Sequence, residues 1–65
     1  MSRTRYEIRE TDGTTGFYEA DVLEVQAVGT FGDRRTNHTL TLFADGAAIY
    51  TGSLAFIDLI VGEEL

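Results

Sequence analysis

Apolar and polar residues alternate along the first part of the chain. Tyr6 and Ile8 fall on one face of the segment 3–11, and the charged residues between and beside them fall on the other. This period of two residues is typical of a half-buried strand. Turn-forming residues fill 12–16, and 17–21 resumes an extended pattern, so the sequence predicts a first β-hairpin.

A second hairpin has the clearest signal in the sequence. In the segment 39–43, Leu40 and Leu42 alternate with threonines and a phenylalanine, the pattern of a strand with one apolar face. Asp45-Gly46 then offers a tight turn, and 48–51 is a suitable return strand.

The segment 20–28 allows two interpretations. If the segment is a strand, three apolar residues share one face: Leu23, Val25 and Ala27. The apolar face must then change near Asp21, which a β-bulge would explain. As a short helix, it would begin with the capping pair Asp21 and Glu24 and end at Gly29. The strand is favoured because several of these residues are poor helix formers.

The last segment, 53–61, is predicted to be a short helix. Ser53 is a suitable N-cap and Gly62 a suitable C-cap, and large apolar residues would cover an arc of about 220°. The alternative is a strand buried on both faces, which also reads as a continuous apolar run.

Such a wide apolar arc exceeds what one helix buries against one sheet, a stripe of roughly 100°. We therefore expect a second copy of the chain to cover the excess, unless sheet curvature wraps the segment within one chain. The predicted self-association residues are Leu54, Phe56, Ile57, Ile60 and Val61.

These elements predict one mostly β (α+β) domain over residues 1–65. The expected architecture is a twisted antiparallel sheet of four to five strands, built from two hairpins, with the short C-terminal helix. A small SH3-like or OB-like barrel, with the last segment as a strand, is the alternative.

The chain is short for a domain that folds alone, because about 40% of its unfolded surface would remain exposed. With no cysteine and one histidine, disulfides and the usual zinc sites are not expected. Association with another chain is then the remaining way to stabilise so small a domain. No cofactor and no metal site is predicted. The hydroxyl residues are mostly threonines at strand positions, so we expect no catalytic residues and no enzyme.

The charge is acidic, with 11 acids against 5 arginines and no lysine, a formal net charge of −6. This disfavours binding to nucleic acid by bulk electrostatics. No signal peptide or membrane-spanning segment is evident, so a cytoplasmic protein without membrane contact is expected.

One loop departs from this acidic character. Arg34 and Arg35 are adjacent and flanked by Phe31 and His38, residue types that anchor interfaces. The loop is the candidate contact with a partner protein, whose identity the sequence does not give. The alternatives are a solvated loop and a loop that binds a phosphate and stacks against a base.

The function that follows is a small non-catalytic acidic protein-interaction module. It would self-associate through its C-terminal segment and bind another protein, as an accessory protein of a virus or mobile element would. Two alternatives stay open: an acidic inhibitor that mimics nucleic acid, and a small nucleic-acid-binding β-barrel using the Arg34/Arg35 loop.

Overall fold

The computed structural model of the protein describes residues 3–29 and 36–65. These residues form six strands with one 3₁₀ turn between the last two. In chain order these are β1 (Thr4–Glu10), β2 (Thr15–Ala20), β3 (Val22–Gly29), β4 (Thr36–Ala44), β5 (Ala47–Ser53), the 3₁₀ turn (Leu54–Phe56) and β6 (Ile57–Glu64). The mostly β fold predicted from the sequence is confirmed.

Both predicted hairpins are present. β1 pairs with β2, and β4 pairs with β5, each in antiparallel register. In the second turn both central residues have positive φ, 53° at Asp45 and 79° at Gly46, as a type I′ hairpin turn requires. Segment 20–28 contains the strand β3 rather than a helix, which confirms the favoured interpretation.

The strands form two three-stranded antiparallel sheets instead of the single sheet that was predicted. The order is β2-β1-β6 in the first sheet and β3-β4-β5 in the second. The chain bends at Asp21, where the backbone N–H donates to the carbonyl of Phe43 at 2.8 Å, and β3 continues in the second sheet. The change of apolar face near Asp21 therefore comes from a change of sheet and not from a β-bulge.

The predicted C-terminal helix is wrong. Ser53 does act as a cap, with its Oγ accepting the N–H of Ala55 at 3.3 Å, but the turn it caps ends at Phe56. The chain then pairs with β1 from Ile57 to Glu64. The segment is rich in Ile and Val, which favour strands, and the free edge of β1 gives its backbone a full row of partners. The last segment is thus a strand, as in the barrel alternative, although the strands hydrogen-bond as two separate sheets.

Among the side chains that the structure describes, four make up the fully buried core: Ile8, Ala20, Leu40 and Leu42. Five partly buried residues pack around them: Tyr6, Tyr18, Tyr50, Leu54 and Ile57. The rings of Tyr18 and Tyr50 meet with their centroids 4.9 Å apart, one from each sheet. The core is therefore small, and tyrosine rings close much of its border.

Two glycines make room for these rings. A Cβ at Gly16 would lie 2.6 Å from the hydroxyl of Tyr18, and one at Gly52 would lie 2.5 Å from that of Tyr50. Each tyrosine thus lies flat over the glycine two residues away on its own strand. A side chain at either glycine would displace the ring that borders the core.

The two sheets overlap only in part. β2 packs over β4 and β5, and the 3₁₀ turn packs over β4. The radius of gyration is 12.8 Å, against about 11 Å for a compact domain of this length. The principal extents of 42 × 27 × 15 Å describe a long, thin body. Strands at the margins therefore keep part of their core-facing surface exposed.

Candidate functional site: an uncovered margin of the core

The clearest uncovered margin lies along β3. Leu23 pairs with Leu42 and Val25 pairs with Leu40, so these side chains share the core face of the second sheet. Leu42 and Leu40 are 0% and 1% exposed, whereas Leu23 and Val25 are 37% and 46% exposed. Ala27 continues the same face and is also exposed. We call Leu23, Val25 and Ala27 the open strip.

Within residues 3–29 and 36–65, no strand pairs with the backbone edge of β3 that faces away from β4. β3 is an edge strand of eight residues, and its register with β4 is continuous. It carries one charged residue, Glu24, whose carboxylate accepts a hydrogen bond from the Gln26 amide at 2.8 Å. Proteins usually protect such edges with charges, proline or a bulge. β3 has only the single glutamate.

Each of the other described edges is more charged, shorter or irregular in register. β6 carries three acids and a register shift where it meets the end of β1. β5 has a register shift opposite Leu42 and Phe43, and β2 is only six residues long. Among the edge strands in the described part of the chain, β3 thus offers eight residues in continuous register with a single charge, which makes it the best candidate for pairing with another chain.

The predicted self-association residues divide between the core and the surface. Leu54 and Ile57 pack against the core, while Phe56, Ile60 and Val61 are 67%, 36% and 47% exposed. Because β6 is a strand, its side chains alternate between two faces. Ile60 lies opposite Ile8 on the core face, and Val61 lies opposite Glu7 on the outer face. The apolar residues of the segment are therefore divided between two faces, with Leu59 beside Val61 exposed on the outer one.

The outer face of the first sheet mixes charge with apolar residues. Phe17 and Val61 lie on either side of Glu7, in the row that crosses the three strands. In the neighbouring rows, Arg5 lies 3.8 Å from Glu19, and Arg9 lies 3.9 Å from Glu7 along the same strand. Exposed ion pairs of this kind contribute about 0–1 kcal/mol, so this is mainly a solvated face with isolated apolar groups.

Arg3, Asp21 and Asp45 form a separate charged cluster. It lies where the start of β1, the bend between β2 and β3, and the turn between β4 and β5 meet. Arg3 Nη2 donates to both carboxylate oxygens of Asp45 at 2.8 Å, and Arg3 Nε lies 3.1 Å from Asp21 Oδ1 in an ion pair without hydrogen-bond geometry. The hydrogen bonds and charge of Asp45 raise the pKa of Arg3, and the charge of Asp21 adds to this. Asp21 also accepts the backbone N–H of Asp45 at 2.9 Å. These contacts hold the bend between the sheets beside the second hairpin turn.

A cleft lies at the opposite border of the core. It encloses about 320 Å³ and is lined by Glu10, Thr11, Asp12, Tyr50, Gly52, Ser53, Phe56 and Ile57. The Tyr50 hydroxyl donates to Glu10 Oε1 at 3.3 Å. Burial raises the pKa of Tyr50, and the Glu10 charge adds to the effect. Tyr50 is thus a weaker acid than a free tyrosine and serves as a hydrogen-bond donor that closes the core.

Asp12, at the rim of this cleft, is committed to its own turn. Its Oδ1 accepts the backbone N–H of Thr14 at 2.9 Å, and this hydrogen bond lowers the pKa of the Asp12 carboxyl. The carboxylate therefore shapes the loop between β1 and β2.

The predicted partner-binding loop lies largely outside the described residues. Phe31, Arg34 and Arg35 fall in the stretch that the structure does not describe. His38 lies on β4, exposed and opposite Ala27, next to the open strip. Its role in binding stays a prediction.

Sequence reasoning placed Leu23, Val25 and Ala27 on one face of a strand but did not assign them a function. The low charge of the segment did not single it out, because 36–44 and 46–57 carry no Asp, Glu, Lys or Arg at all. What the sequence lacked was any sign that β3 stands at an edge.

Two further findings concern the described segments, 3–29 and 36–65. No group of three or more histidine, aspartate or glutamate side chains there is arranged to hold a metal ion. None of the helical structure in these segments is long and apolar enough to cross a membrane.

Comparison with other proteins identifies no relative from which a role could be transferred. No family model, curated protein sequence or solved structure matches the chain. Its function therefore has to be inferred from its own surface.

Proposed function

We propose that the protein is a non-catalytic interaction module that works as an assembly of copies, in which a second copy covers the open strip. The observation that supports this is the contrast across one pair of strands. Leu40 and Leu42 are fully buried, while Val25 and Leu23, directly opposite them on the same face, are exposed. The core thus ends at an edge where apolar side chains and unpaired backbone occur together.

The free energy gained by covering the open strip is large compared with the stability of a domain of this size. Burying a large aliphatic side chain completely contributes about 1.5–3 kcal/mol, so covering the exposed part of Leu23 or Val25 contributes about 1 kcal/mol each. A two-fold pair gains this twice. A small domain has a total stability of about 3–5 kcal/mol, so the gain is comparable even before association entropy is subtracted.

The distribution of charge limits where two copies can meet. Two molecules with a net charge of −6 repel one another wherever their acidic surfaces meet. Their open strips carry no charge, and the edge beside them carries one glutamate. Contact along β3 therefore keeps most of the acids of the two copies apart.

The nucleic-acid alternatives receive no support from the described residues. Arg3, Arg5 and Arg9 each lie within 4 Å of a carboxylate, so they form no separate basic face. The same pairs partly neutralise the acids of the outer face, which a mimic of nucleic acid would need to present. Binding of a further protein through Phe31, Arg34, Arg35 and His38 remains part of the proposal.

Mass in solution tests the assembly. Light scattering over a series of concentrations should show the mass rising from the 7.2 kDa of one chain toward twice that value. Val25→Lys should keep the protein monomeric, because it places a charge in the open strip. A parent protein that stays monomeric at millimolar concentration would overturn the proposal.

Val61→Lys is the matched control. Val61 is a valine on another eight-residue edge strand and is almost equally exposed, but it lies on the outer face. We expect the mass of Val61→Lys to follow that of the parent. If Val61→Lys dissociates the assembly and Val25→Lys does not, the interface lies on β6, as the sequence alone suggested. Ile57→Glu would be a poor test because Ile57 packs against the core.

A further inference from the structure

We propose that the cleft beside Tyr50 binds an arginine side chain of a partner protein, with the carboxylates of Glu10 and Asp12 holding the guanidinium and the ring of Phe56 against one of its faces. The cleft is lined in part by β5, and the open strip lies on β3, at the other edge of the same sheet. This inference is therefore independent of how copies of the chain assemble.

Three segments build the cleft and are tied to one another. The Thr11 backbone N–H donates to the carbonyl of Phe56 at 2.9 Å, which joins the loop after β1 to the 3₁₀ turn. The Tyr50 hydroxyl donates to Glu10 Oε1 at 3.3 Å, which joins β5 to the end of β1. The cleft is thus already formed in the folded chain, so that a ligand does not have to order it.

The volume of the cleft limits the size of its ligand. Ligand pockets in proteins enclose about 300–1,000 Å³, and this cleft, at about 320 Å³, lies at the lower end of that range. Its walls are apolar at Tyr50, Phe56 and Ile57 and polar at Thr11 and Ser53. A space of this size and character suits a single side chain rather than a large cofactor.

The charges around the cleft favour a cation. Glu10 and Asp12 line it, and no residue of positive charge lines it within the described part of the chain. The hydrogen bond from Thr14 lowers the pKa of Asp12, so this carboxyl is ionised at neutral pH. The formal net charge of −6 also attracts a basic partner to the chain as a whole.

Both carboxylates have acceptor capacity left for a ligand. Tyr50 donates to one oxygen of Glu10, and Thr14 donates to one oxygen of Asp12. An ionised carboxylate has about four lone-pair sites, so each can accept further N–H groups. The arginines of β1 and its start have other partners: Arg3 pairs with Asp21 and Asp45, Arg5 with Glu19, and Arg9 with Glu7.

The aromatic ring at the cleft favours arginine over lysine. Phe56 is 67% exposed, so its ring is accessible to a ligand. A guanidinium is planar and can stack on an aromatic ring while its N–H groups donate to carboxylates in the same plane. A lysine ammonium is compact and more strongly hydrated, so it makes a weaker contact of this kind.

Binding of a capped amino acid tests the site directly. N-acetylarginine methylamide should shift the backbone amide NMR signals of residues 10–12 and 52–57 in a saturable way, with a dissociation constant on the order of millimolar. N-acetylcitrulline methylamide has nearly the same shape but no charge, so it should cause no saturable shift. Added salt should weaken the binding of the arginine compound. Absence of saturable shifts with arginine, or equal shifts with both compounds, would overturn the proposal.

Two nearly isosteric variants test the carboxylates. Glu10→Gln and Asp12→Asn each keep an oxygen to accept the existing hydrogen bond but remove the charge, and each should weaken arginine binding about three- to tenfold. Glu63→Gln is the matched control, because it removes the same charge from β6 opposite Arg5. It should change the affinity less than twofold. If Glu63→Gln weakens binding as much as the other two variants, net charge alone attracts the ligand and the proposed site is wrong.

Phe56→Leu tests the aromatic contact. The change keeps an apolar side chain at an exposed position and removes the ring, so the fold should be retained. Arginine binding should weaken about two- to fivefold, and binding of N-acetyllysine methylamide should weaken less. Undiminished arginine binding by Phe56→Leu would contradict stacking on this ring.

Discussion

The centre and the margin of the second sheet differ by one strand and yet have opposite environments. Leu40 and Leu42 on β4 are sealed under the first sheet, while Val25 and Leu23 on β3 share their face and remain exposed. The local pattern is the same on both strands: an apolar residue at every second position. What separates them is whether another layer lies above, which the partial overlap of the two sheets decides.

This difference suggests how so small a protein is built. A core of four fully buried side chains is enough to fix the topology, because the backbone ladders and the tyrosine rings complete it. The strand at the margin carries apolar side chains like those of the core, but no second layer of the described chain covers them. We interpret the open strip as the unfinished part of a larger core that a second copy completes.

The largest expected effect comes from breaking the covered centre. Leu42→Ala should lower the free energy of unfolding by about 2–5 kcal/mol, since it leaves a cavity beneath the sheets. The domain has roughly that much stability, so the variant should be largely unfolded at room temperature. Circular dichroism during denaturant titration measures this. Leu23→Ala, the same change directly opposite, should cost about 1–2 kcal/mol in dilute solution; equal costs would mean that Leu23 is already covered.

The loss of stability caused by Leu23→Ala should be smaller than that caused by Leu42→Ala, and it should depend on protein concentration. If a second copy covers the open strip, then Leu23→Ala loses more stability in concentrated protein, where the parent is dimeric, than in dilute protein. The thermal unfolding midpoints of parent and variant should therefore diverge as both are concentrated from micromolar to millimolar. The difference between parent and Tyr50→Phe should not change in this way. A constant difference for Leu23→Ala would argue that the margin stays open.

The smallest expected effect concerns pH at the other border of the core. Burial and Glu10 raise the pKa of Tyr50 above its ordinary value of 10.0. Above that pH the unfolded chain loses the phenol proton first, so the folded state loses stability as pH rises through the folded pKa. Tyr50→Phe should remove this contribution and weaken the alkaline loss of stability, as followed by unfolding at pH 8 to 11. An unchanged pH profile would indicate that the phenol is as hydrated as in the unfolded chain.

Much of the secondary structure could be predicted from the sequence. Turn residues such as Asp45-Gly46 and the alternation around Leu40 and Leu42 act over a few neighbouring residues, and they gave both hairpins correctly. The segment 53–61 was misassigned because Ser53 caps a 3₁₀ turn as well as a helix, and a run of large apolar residues fits either structure. The pairing of β6 with β1, distant in sequence, decided for the strand.

The candidate site was harder to predict than the strands. Sequence placed the uncovered surface in the C-terminal segment because its apolar residues are the most concentrated. The structure buries Leu54 and Ile57 against the core and divides Ile60 and Val61 between two faces. The shared face of Leu23 and Val25 was foreseen, but its exposure depends on where the first sheet ends.

The order of residues was enough to specify the local features of this protein: extended segments of period two, tight turns, strands with little or no charge in an acidic chain, and too little apolar mass for a deep core. These depend on interactions between residues close together along the chain. Packing between distant segments set which strands share a sheet, placed the change of sheet at Asp21, and left β3 at an uncovered edge. Those features depend on contacts between distant segments, whose energies the order of residues alone does not reveal.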